Sequence, residues 1–300
     1  MTGLISAIKR NEIHDGDGLR TTVFFKGCPL KCVWCHNPEG ISFHSQFGFY
    51  TQRCIGCGIC AANCPQGCIT MAEGKPVTHL DRCDGCLKCT EICPADARVP
   101  YGTPWEAADL AEKLMEDRLF FENSGGGVTL SGGECLAQSA FATELAKILW
   151  EQGISVDIDT CGFVRREVLD GIIPYTDTFL YDMKAIDPEV HRRCTGQDNS
   201  LILENLRYLC GRGCRVEIRY PYVPGYNDGE CEKIGAFLAE LPNITKVKVL
   251  GYHGYADGKY AALSMENTLP QVHVGVEDVE KAVASLKRFG LPAVNGMVAD

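Results

Sequence analysis

Two kinds of hydrophobic pattern alternate along most of the chain. Short runs rich in β-branched and aromatic residues predict buried strands at residues 19–26, 128–131, 154–159, 179–183, 215–220 and 246–250. Apolar residues at helical spacing predict helices at residues 105–121, 141–150, 190–194, 201–210, 230–241 and 279–289. Residues 1–19 are interpreted as a polar lead-in.

Six strands separated by helices favour an α/β protein with a parallel sheet and right-handed crossovers. Six units are too few for a closed eight-stranded barrel. The periodicity alone therefore fits both a partial (β/α)6 barrel and an open, doubly wound sheet.

Two runs of cysteines interrupt the pattern and form an internal repeat. Each run has the spacing C-x2-C-x2-C-x3-C followed by proline, and the second lies 29 residues after the first. This is the bacterial ferredoxin pattern, in which the fourth cysteine of each run ligates the other cluster. We assign one [4Fe–4S] cluster to Cys54, Cys57, Cys60 and Cys93. A second is assigned to Cys83, Cys86, Cys89 and Cys64, while Cys68 is interpreted as a non-ligand.

The repeat predicts a ferredoxin-like insert at residues 51–97, within a core formed by residues 1–50 and 98–300. About fifty residues bury little apolar surface, so bound clusters must stabilise such a segment. A cluster can both stabilise a segment and relay electrons, so the spacing fits either role.

Composition narrows the possible partners and compartments. The net charge of −10 argues against a nucleic-acid surface, which needs clustered Lys and Arg. The amino terminus has neither a basic region nor an apolar run, so we expect no signal peptide and no membrane contact. Eighteen cysteines without a secretory signal indicate metal binding in a reducing compartment, and oxygen-sensitive clusters would suit the cytoplasm of an anaerobic bacterium.

A third cysteine group follows directly on the first predicted strand. Cys28, Cys32 and Cys35 have the spacing C-x3-C-x2-C, with no fourth cysteine before Cys54. Three thiolates can hold three irons of a [4Fe–4S] cluster and leave the fourth iron open for a substrate. Structural zinc is disfavoured because it requires four ligands, and His36 directly after Cys35 is poorly placed to be one.

This spacing, with an aromatic residue before the third cysteine, resembles the radical S-adenosylmethionine (SAM) superfamily. The flanking motifs DGDGLR at residues 15–20 and WCHNPE at residues 34–39 resemble more narrowly the glycyl radical enzyme activating enzymes, which are relatives of pyruvate formate-lyase activating enzyme. The resemblance implies a partial (β/α)6, TIM-like barrel with the site at the carboxyl ends of its strands.

The resemblance also implies the reaction. A reduced cluster would cleave SAM bound at its open iron, and the resulting 5′-deoxyadenosyl radical would take a hydrogen atom from a glycine of a partner glycyl radical enzyme. Flavodoxin or ferredoxin would supply the electron. The two-cluster insert favours a partner that is a dehydratase, a decarboxylase or a C–N or C–S lyase over pyruvate formate-lyase itself.

Site residues carried over from the family lie in the cysteine loop and at the strand ends. Catalysis would depend on the cluster ligands Cys28, Cys32 and Cys35. Residues implied around SAM are Trp34, His36, Gly132, Gly133, Glu134, Asp159, Thr160, Asp182, Met183, Lys184, Arg219 and His253. Within this set, the Gly-Gly-Glu motif would meet the amino group of SAM.

Further roles follow from the same resemblance. Asp159, Thr160 and Asp182 would hold a monovalent cation, Na⁺ or K⁺, beside the SAM carboxylate. Asp15 and Arg20 would lie near the glycyl loop of the partner. This chain departs from the family pattern at Asp17, Cys161 and Gly251, which stand where proline, asparagine and proline are usual.

Two other functions are kept as alternatives. A radical SAM enzyme acting on a small molecule or on another protein residue would lack the two flanking motifs. A polyferredoxin-type electron carrier would need neither the Gly-Gly-Glu motif nor a barrel of some 250 residues.

Overall fold

The computed structural model describes residues 1–298. The strands are β1 (Thr2–Glu12), β2 (Arg20–Phe25), β3 (Gln46–Phe49), β4 (Ile69–Ala72), β5 (Lys75–Thr78), β6 (Arg98–Tyr101), β7 (Thr103–Glu106), β8 (Gly127–Gly132), β9 (Ser155–Thr160), β10 (Thr178–Asp182), β11 (Arg215–Tyr222), β12 (Ile244–Gly251) and β13 (Ala293–Asn295).

The α-helices are α1 (Ile59–Ala62), α2 (Lys88–Glu91), α3 (Ala107–Met115), α4 (Arg118–Ser124), α5 (Ser139–Glu151), α6 (Arg166–Ile172), α7 (Pro188–Thr195), α8 (Ser200–Gly211), α9 (Cys231–Ala239), α10 (Asp257–Ala262) and α11 (Val276–Lys287). Short 3-10 segments lie at Pro38–Gly40, Thr51–Arg53, Leu80–Arg82, Cys135–Gln138, Ile173–Tyr175 and Asp228–Glu230. Among residues 1–298, no helix is both long and apolar enough to cross a membrane.

Nine strands form one sheet in the order β13-β12-β11-β10-β9-β8-β2-β1-β7. The seven strands from β2 to β13 in this order run parallel to one another. Strand β1 pairs antiparallel with β2 on one side and with β7 on the other. Within the described chain the two edge strands do not meet, so the sheet is open, as a partial barrel requires.

The core lies between the parallel strands and the helices that cover them. Val128 and Leu130 of β8 and Val156 of β9 are fully buried, and so are Leu145 and Leu149 of α5. The alternation of such strands with amphipathic helices is the pattern that predicted the parallel sheet. All six predicted strands are present, as β2, β8, β9, β10, β11 and β12.

Two predictions near the amino end of the core were wrong. Residues 1–19 are not a polar lead-in, because β1 occupies most of them. The helix predicted from residue 105 begins only at Ala107, because residues 103–106 form β7, and it is broken into α3 and α4. Pro104, which suggested a helix start, lies in this edge strand, where a missing N–H is tolerated.

The loop between β1 and β2 folds across the inside of the sheet. Its His14 carbonyl accepts hydrogen bonds from Arg219 (2.8 Å) and Lys248 (3.3 Å), on β11 and β12. Its Asp15 carbonyl accepts one from the Thr129 hydroxyl of β8 (2.6 Å). The loop therefore links strands that are not neighbours in the sheet.

Arg20, predicted to lie near a partner's glycyl loop, is instead buried in the core. Only 1% of it is exposed. Its Nε donates to the Thr129 hydroxyl (2.7 Å), and its Nη2 donates to the Val128 carbonyl (2.7 Å) and pairs with Asp157 (3.2 Å). Its guanidinium is therefore engaged beneath the loop that carries Asp15, and its expected place near a partner's glycyl loop stays a prediction.

Residues 51–97 lie outside the main hydrophobic core. Strands β3 and β6 flank this segment and pair antiparallel with each other, with Phe49 opposite Arg98. Between them, β4 and β5 form a separate two-stranded sheet. Among the hydrophobic side chains of this segment, Cys68, Ile69 and Ala97 are buried.

Removal of Arg20 tests its buried ion pair. Asp157 is 3% exposed, and burial raises its pKa to about 6 even though Arg20 lowers it. In Arg20→Met this carboxylate loses its cation, and we expect a loss of about 3–5 kcal/mol in the free energy of unfolding, measured by anaerobic urea denaturation.

The matched control is Arg118→Met, since the pair between Arg118 and Glu122 is about half exposed and should contribute about 0–1 kcal/mol. The double variant Arg20→Met/Asp157→Asn should recover part of the loss. Equal effects of the two single variants would contradict the assignment.

Candidate active site

The carboxyl ends of the parallel strands surround a cavity of about 730 Å³. Most of the predicted site residues line it, namely Cys28, Cys32, Cys35, Trp34, His36, Gly132, Gly133, Asp159, Asp182, Lys184, Arg219 and His253. The structure thus brings together side chains from the loop after β2 and from the ends of five further strands. This is the end of a parallel barrel where catalytic groups gather.

The cysteine loop is fixed at both ends by backbone hydrogen bonds. At its base, the Gly27 N–H donates to the Gly40 carbonyl (2.7 Å) and the Cys28 N–H donates to that of Ile41 (3.1 Å). On its far side, the Val33 N–H donates to the Cys194 carbonyl at the end of α7 (2.9 Å). The three thiols are therefore presented by a loop whose backbone is anchored to the barrel.

The thiols fit an iron–sulfur cluster better than a single metal ion. Burial, reinforced by the neighbouring Cys32, raises the pKa of Cys35 to about 12, and it also raises the pKa of Cys28 and Cys32. Such buried thiolates need a strong positive partner. Within residues 1–298, no three His, Cys, Asp or Glu side chains converge on a single-ion site. A [4Fe–4S] cluster instead takes one thiolate per iron, which suits thiols spread along a cavity wall.

A stack of aromatic rings forms one side of the cavity. The His36 ring lies 4.1 Å from that of His253 and 5.6 Å from that of Tyr252, and His253 stacks on Tyr255 at 4.6 Å. Burial lowers the pKa of His36 to about 4 and also lowers that of His253. The two histidine rings are therefore neutral at pH 7. Trp34 packs by its edge against Tyr226.

Lys259 holds the segment after the third cysteine, and sequence analysis missed it. Its Nζ donates to the His36 carbonyl (3.0 Å), to Asn37 Oδ1 (2.9 Å) and to Glu39 Oε1 (2.6 Å). The lysine lies on α10, a six-residue helix too short for its periodicity to be recognised. The WCHNPE motif thus owes part of its conformation to a residue some 220 positions away along the chain.

Gly132 and Gly133 bring the end of β8 against the cysteine loop. A Cβ atom on Gly133 would lie 2.4 Å from the Gly40 carbonyl oxygen and 2.6 Å from that of Gly27. Gly132 has a φ of +115°, which favours glycine. No side chain fits here, so the two loops meet backbone to backbone.

Glu134, the third residue of this motif, points away from the cavity. It is 1% exposed, and its carboxylate accepts hydrogen bonds from the Thr160 hydroxyl (2.9 Å) and from the N–H groups of Leu136 (3.0 Å) and Cys161 (2.8 Å). The carboxylate is therefore engaged inside the protein, and the contact expected between the Gly-Gly-Glu motif and the amino group of SAM stays a prediction. Thr160 and Met183 are also buried outside the cavity wall.

Alternating charges line another part of the cavity wall. Arg219 pairs with Asp15 (3.2 Å) and Asp159 (3.5 Å), and Lys184 pairs with Asp182 (2.7 Å). Burial raises the pKa of Asp159 to about 7, although Arg219 opposes the shift. Burial would lower the pKa of Lys184, but Asp182 more than offsets it, and the pKa is raised. The wall offers both carboxylate and cationic groups to a zwitterionic ligand.

The cysteines of residues 51–97 surround two small cavities. Cys54, Cys57, Cys60 and Cys93 line one of them. Cys64, Cys83, Cys86 and Cys89 line the other, together with Cys68. Each predicted ligand set therefore faces one space, although the four members of a set come from both halves of the repeat.

Comparisons with known proteins agree with these features. A family model described as the Radical SAM superfamily matches residues 22–238. The trans-4-hydroxy-L-proline dehydratase activating enzyme of Clostridioides difficile is 41% identical over 87% of this chain and 87% of its own. The benzylsuccinate synthase activating enzyme of Thauera aromatica is 36% identical over 98% of this chain and 92% of its own. The choline trimethylamine-lyase activating enzyme of Oleidesulfovibrio alaskensis is 37% identical over 96% of each of the two chains.

Among solved structures, SuiB of Streptococcus suis bound to the precursor peptide SuiA superposes with a TM-score of 0.55. It covers 89% of this chain and 46% of that one at 13% identity, so the likeness concerns the fold alone. The family match, the relatives and the thiol-lined cavity lead to one conclusion. The chain belongs to the Radical SAM superfamily and, within it, to the glycyl radical enzyme activating enzymes.

Proposed function

We propose that this chain forms a glycyl radical on a partner enzyme, using SAM bound at a [4Fe–4S] cluster that Cys28, Cys32 and Cys35 hold. One observation carries the proposal: the three thiols and the polar strand ends face the same cavity of about 730 Å³. When bound and reduced, the cluster supplies the electron that cleaves SAM to methionine and a 5′-deoxyadenosyl radical, which takes hydrogen from the partner's glycine.

The wall residues would orient the methionine part of SAM. The Asp159 carboxylate and the backbone of Gly132 and Gly133 lie at neighbouring strand ends and suit an ammonium group. Lys184 and Arg219 provide positive charge for a carboxylate. His36 and His253, both neutral, line the same cavity and would contact the purine.

The proposed site also includes a monovalent cation beside the SAM carboxylate. Asp159 and Asp182 are its candidate ligands, with Thr160 nearby, as the family resemblance implies. Asp182 now bonds to Lys184 at 2.7 Å, and Asp159 lies 3.5 Å from Arg219. A cation would therefore replace one of these internal partners.

We further propose that residues 51–97 form a ferredoxin-like insert with two more [4Fe–4S] clusters. The two cysteine-lined cavities support the ligand sets, and the small share of buried apolar side chains explains why the segment would need them. The clusters would accept electrons from flavodoxin or ferredoxin. An anaerobic cytoplasm would protect all three clusters.

The partner is proposed to be a dehydratase, a decarboxylase or a C–N or C–S lyase. The relatives named above are activating enzymes of a dehydratase, of benzylsuccinate synthase and of a trimethylamine-lyase. Asp15, in the loop that crosses the barrel, is the residue proposed to lie near the partner's glycyl loop. A simple electron carrier is disfavoured, because the match to activating enzymes extends over almost the whole chain.

Cleavage of SAM tests the catalytic cluster. The protein, reconstituted anaerobically with iron and sulfide and reduced with dithionite, should convert SAM to 5′-deoxyadenosine, measured by chromatography. Cys32→Ala removes one of three ligands and should abolish the product. Cys210→Ala, at a buried thiol of α8 away from the cavity, is the matched control and should retain it.

Product formed equally by both variants would contradict the role of Cys32. Absence of product from the parent protein with all clusters loaded, as judged by iron analysis, would favour the electron-carrier alternative.

Gly133→Ala tests the close contact between β8 and the cysteine loop. The added Cβ atom meets two backbone oxygens that cannot move without the loop, so we expect SAM affinity to fall about tenfold or more, or ~1.4 kcal/mol. Equilibrium dialysis with labelled SAM measures it. Gly229→Ala is the matched control, because its Cβ atom would have no neighbour within 4 Å. Unchanged affinity in Gly133→Ala would show that the contact does not shape the site.

Transfer of the radical tests the partner class. Incubation with SAM, reductant and a glycyl radical dehydratase or lyase should produce a glycyl radical signal in the electron paramagnetic resonance (EPR) spectrum of the partner. The control is the same partner with its radical-bearing glycine replaced by alanine. SAM cleavage without a radical on any partner of these classes would contradict the proposed substrate.

A further inference from the structure

The two halves of the cysteine-rich segment are alike beyond their cysteines. The Tyr50 N–H donates to the Ala97 carbonyl at 2.8 Å. The His79 N–H donates to the Cys68 carbonyl, also at 2.8 Å. His79 follows Tyr50 by 29 residues and Ala97 follows Cys68 by 29, the offset of the cysteine repeat. Positions 68 and 97 are therefore equivalent places in a pseudo-symmetric backbone.

The equivalent positions carry different side chains. Cys68 is 2% exposed and Ala97 is 1% exposed, so each is packed inside its half. Cys68 lines the cavity of Cys64, Cys83, Cys86 and Cys89, and Ala97 lines that of Cys54, Cys57, Cys60 and Cys93. Because only one of them is a cysteine, one cavity is lined by four thiols and the other by five.

The fifth thiol lies beside a predicted ligand. Cys64 Sγ and Cys68 Sγ are 3.4 Å apart, within hydrogen-bonding distance for sulfur. The Gly67 N–H bonds to the Cys64 carbonyl (3.0 Å), which closes a tight turn between the two cysteines. No atom outside this turn lies within 4 Å of the place where a Gly67 Cβ would be, so the turn has room to shift.

We propose that Cys68 is a reserve ligand of the second insert cluster, an inference that rests on the two-cluster insert proposed above. In the intact protein Cys64 binds the iron, because it precedes a proline as its counterpart Cys93 does, and the Cys68 S–H donates a hydrogen bond to its sulfur. When Cys64 is lost, Cys68 releases its thiol proton to solvent and its sulfur bonds the same iron. No electron is transferred in this exchange.

The hydrogen bond also distinguishes the two clusters electronically. Hydrogen bonds to ligand sulfurs are among the factors that set the reduction potential of a cluster, and a donor that stabilises the more negative reduced state raises it. Ala97 offers no such donor in the other half. Cys68→Ala should therefore lower the potential of the cluster of Cys64 while leaving the iron content unchanged.

Iron and sulfide counts on reconstituted full-length protein test the reserve role. Cys93→Ala has no second thiol to replace its ligand and should lose about four iron ions per chain if its cluster is lost. Cys64→Ala should keep the parent's iron content, because Cys68 replaces the ligand. The double variant Cys64→Ala/Cys68→Ala should lose the same amount as Cys93→Ala.

A reciprocal variant tests the same ligand exchange at the equivalent position of the repeat. Ala97→Cys in the Cys93→Ala background installs the reserve thiol in the other half and should restore the lost iron. EPR of the reduced variants should show the same number of cluster spins as the iron counts imply. A Cys64→Ala variant that loses a cluster as Cys93→Ala does would overturn the proposal.

Failure of the underlying insert proposal has a different signature. If the parent binds only the iron of one cluster, and no insert variant changes that amount while Cys32→Ala abolishes it, then residues 51–97 hold no cluster. The reserve ligand would then be excluded together with the insert clusters, whereas the SAM site would be unaffected.

Discussion

A buried carboxylate holds the reaction site together. Glu134 accepts hydrogen bonds from the end of β9 and from the turn after β8, and its own N–H donates to the Gly27 carbonyl beside the cysteine loop (2.8 Å). An acceptor so buried requires donors of this kind, since an unsatisfied carboxylate would be very costly. This one residue, which is itself buried, therefore links the base of the cysteine loop to the polar ends of β8 and β9.

A chain of ion pairs links the cavity wall to the loop between β1 and β2. Arg219 joins Asp159, at the cavity, to Asp15, in the loop that crosses the barrel. Asp15 also accepts a hydrogen bond from Thr22 (2.8 Å) on β2, the strand that leads to the cysteines. A shift of the crossing loop would therefore change the charge presented to the cavity, because the same guanidinium serves both carboxylates.

The sequence predicts the buried strands, but it does not show which way an individual side chain turns. The six parallel strands were predicted because both faces are covered and the apolar runs are continuous. Strands β1 and β7 were missed, since β1 ends in charged residues and the edge strand β7 contains Pro104. The Gly-Gly-Glu motif lies at a strand end that lines the cavity, but no pattern in the sequence shows that the Glu134 side chain makes buried hydrogen bonds. The spacing of the cysteines in residues 51–97 predicts which of them line one cavity, whereas the contact between Cys64 and Cys68 depends on the shape of a turn.

The pairing of β3 with β6 joins residues 51–97 to the rest of the chain at one place. Phe49 and Arg98 are opposite each other, so the chain leaves the core and returns to it at neighbouring positions of one ladder. A tight turn could join these strands if the intervening residues were absent, and the main hydrophobic core would keep all its members. The architecture is thus modular. Evolution could add or delete the whole segment at this junction without redesigning the barrel, and the two parts could diverge at different rates.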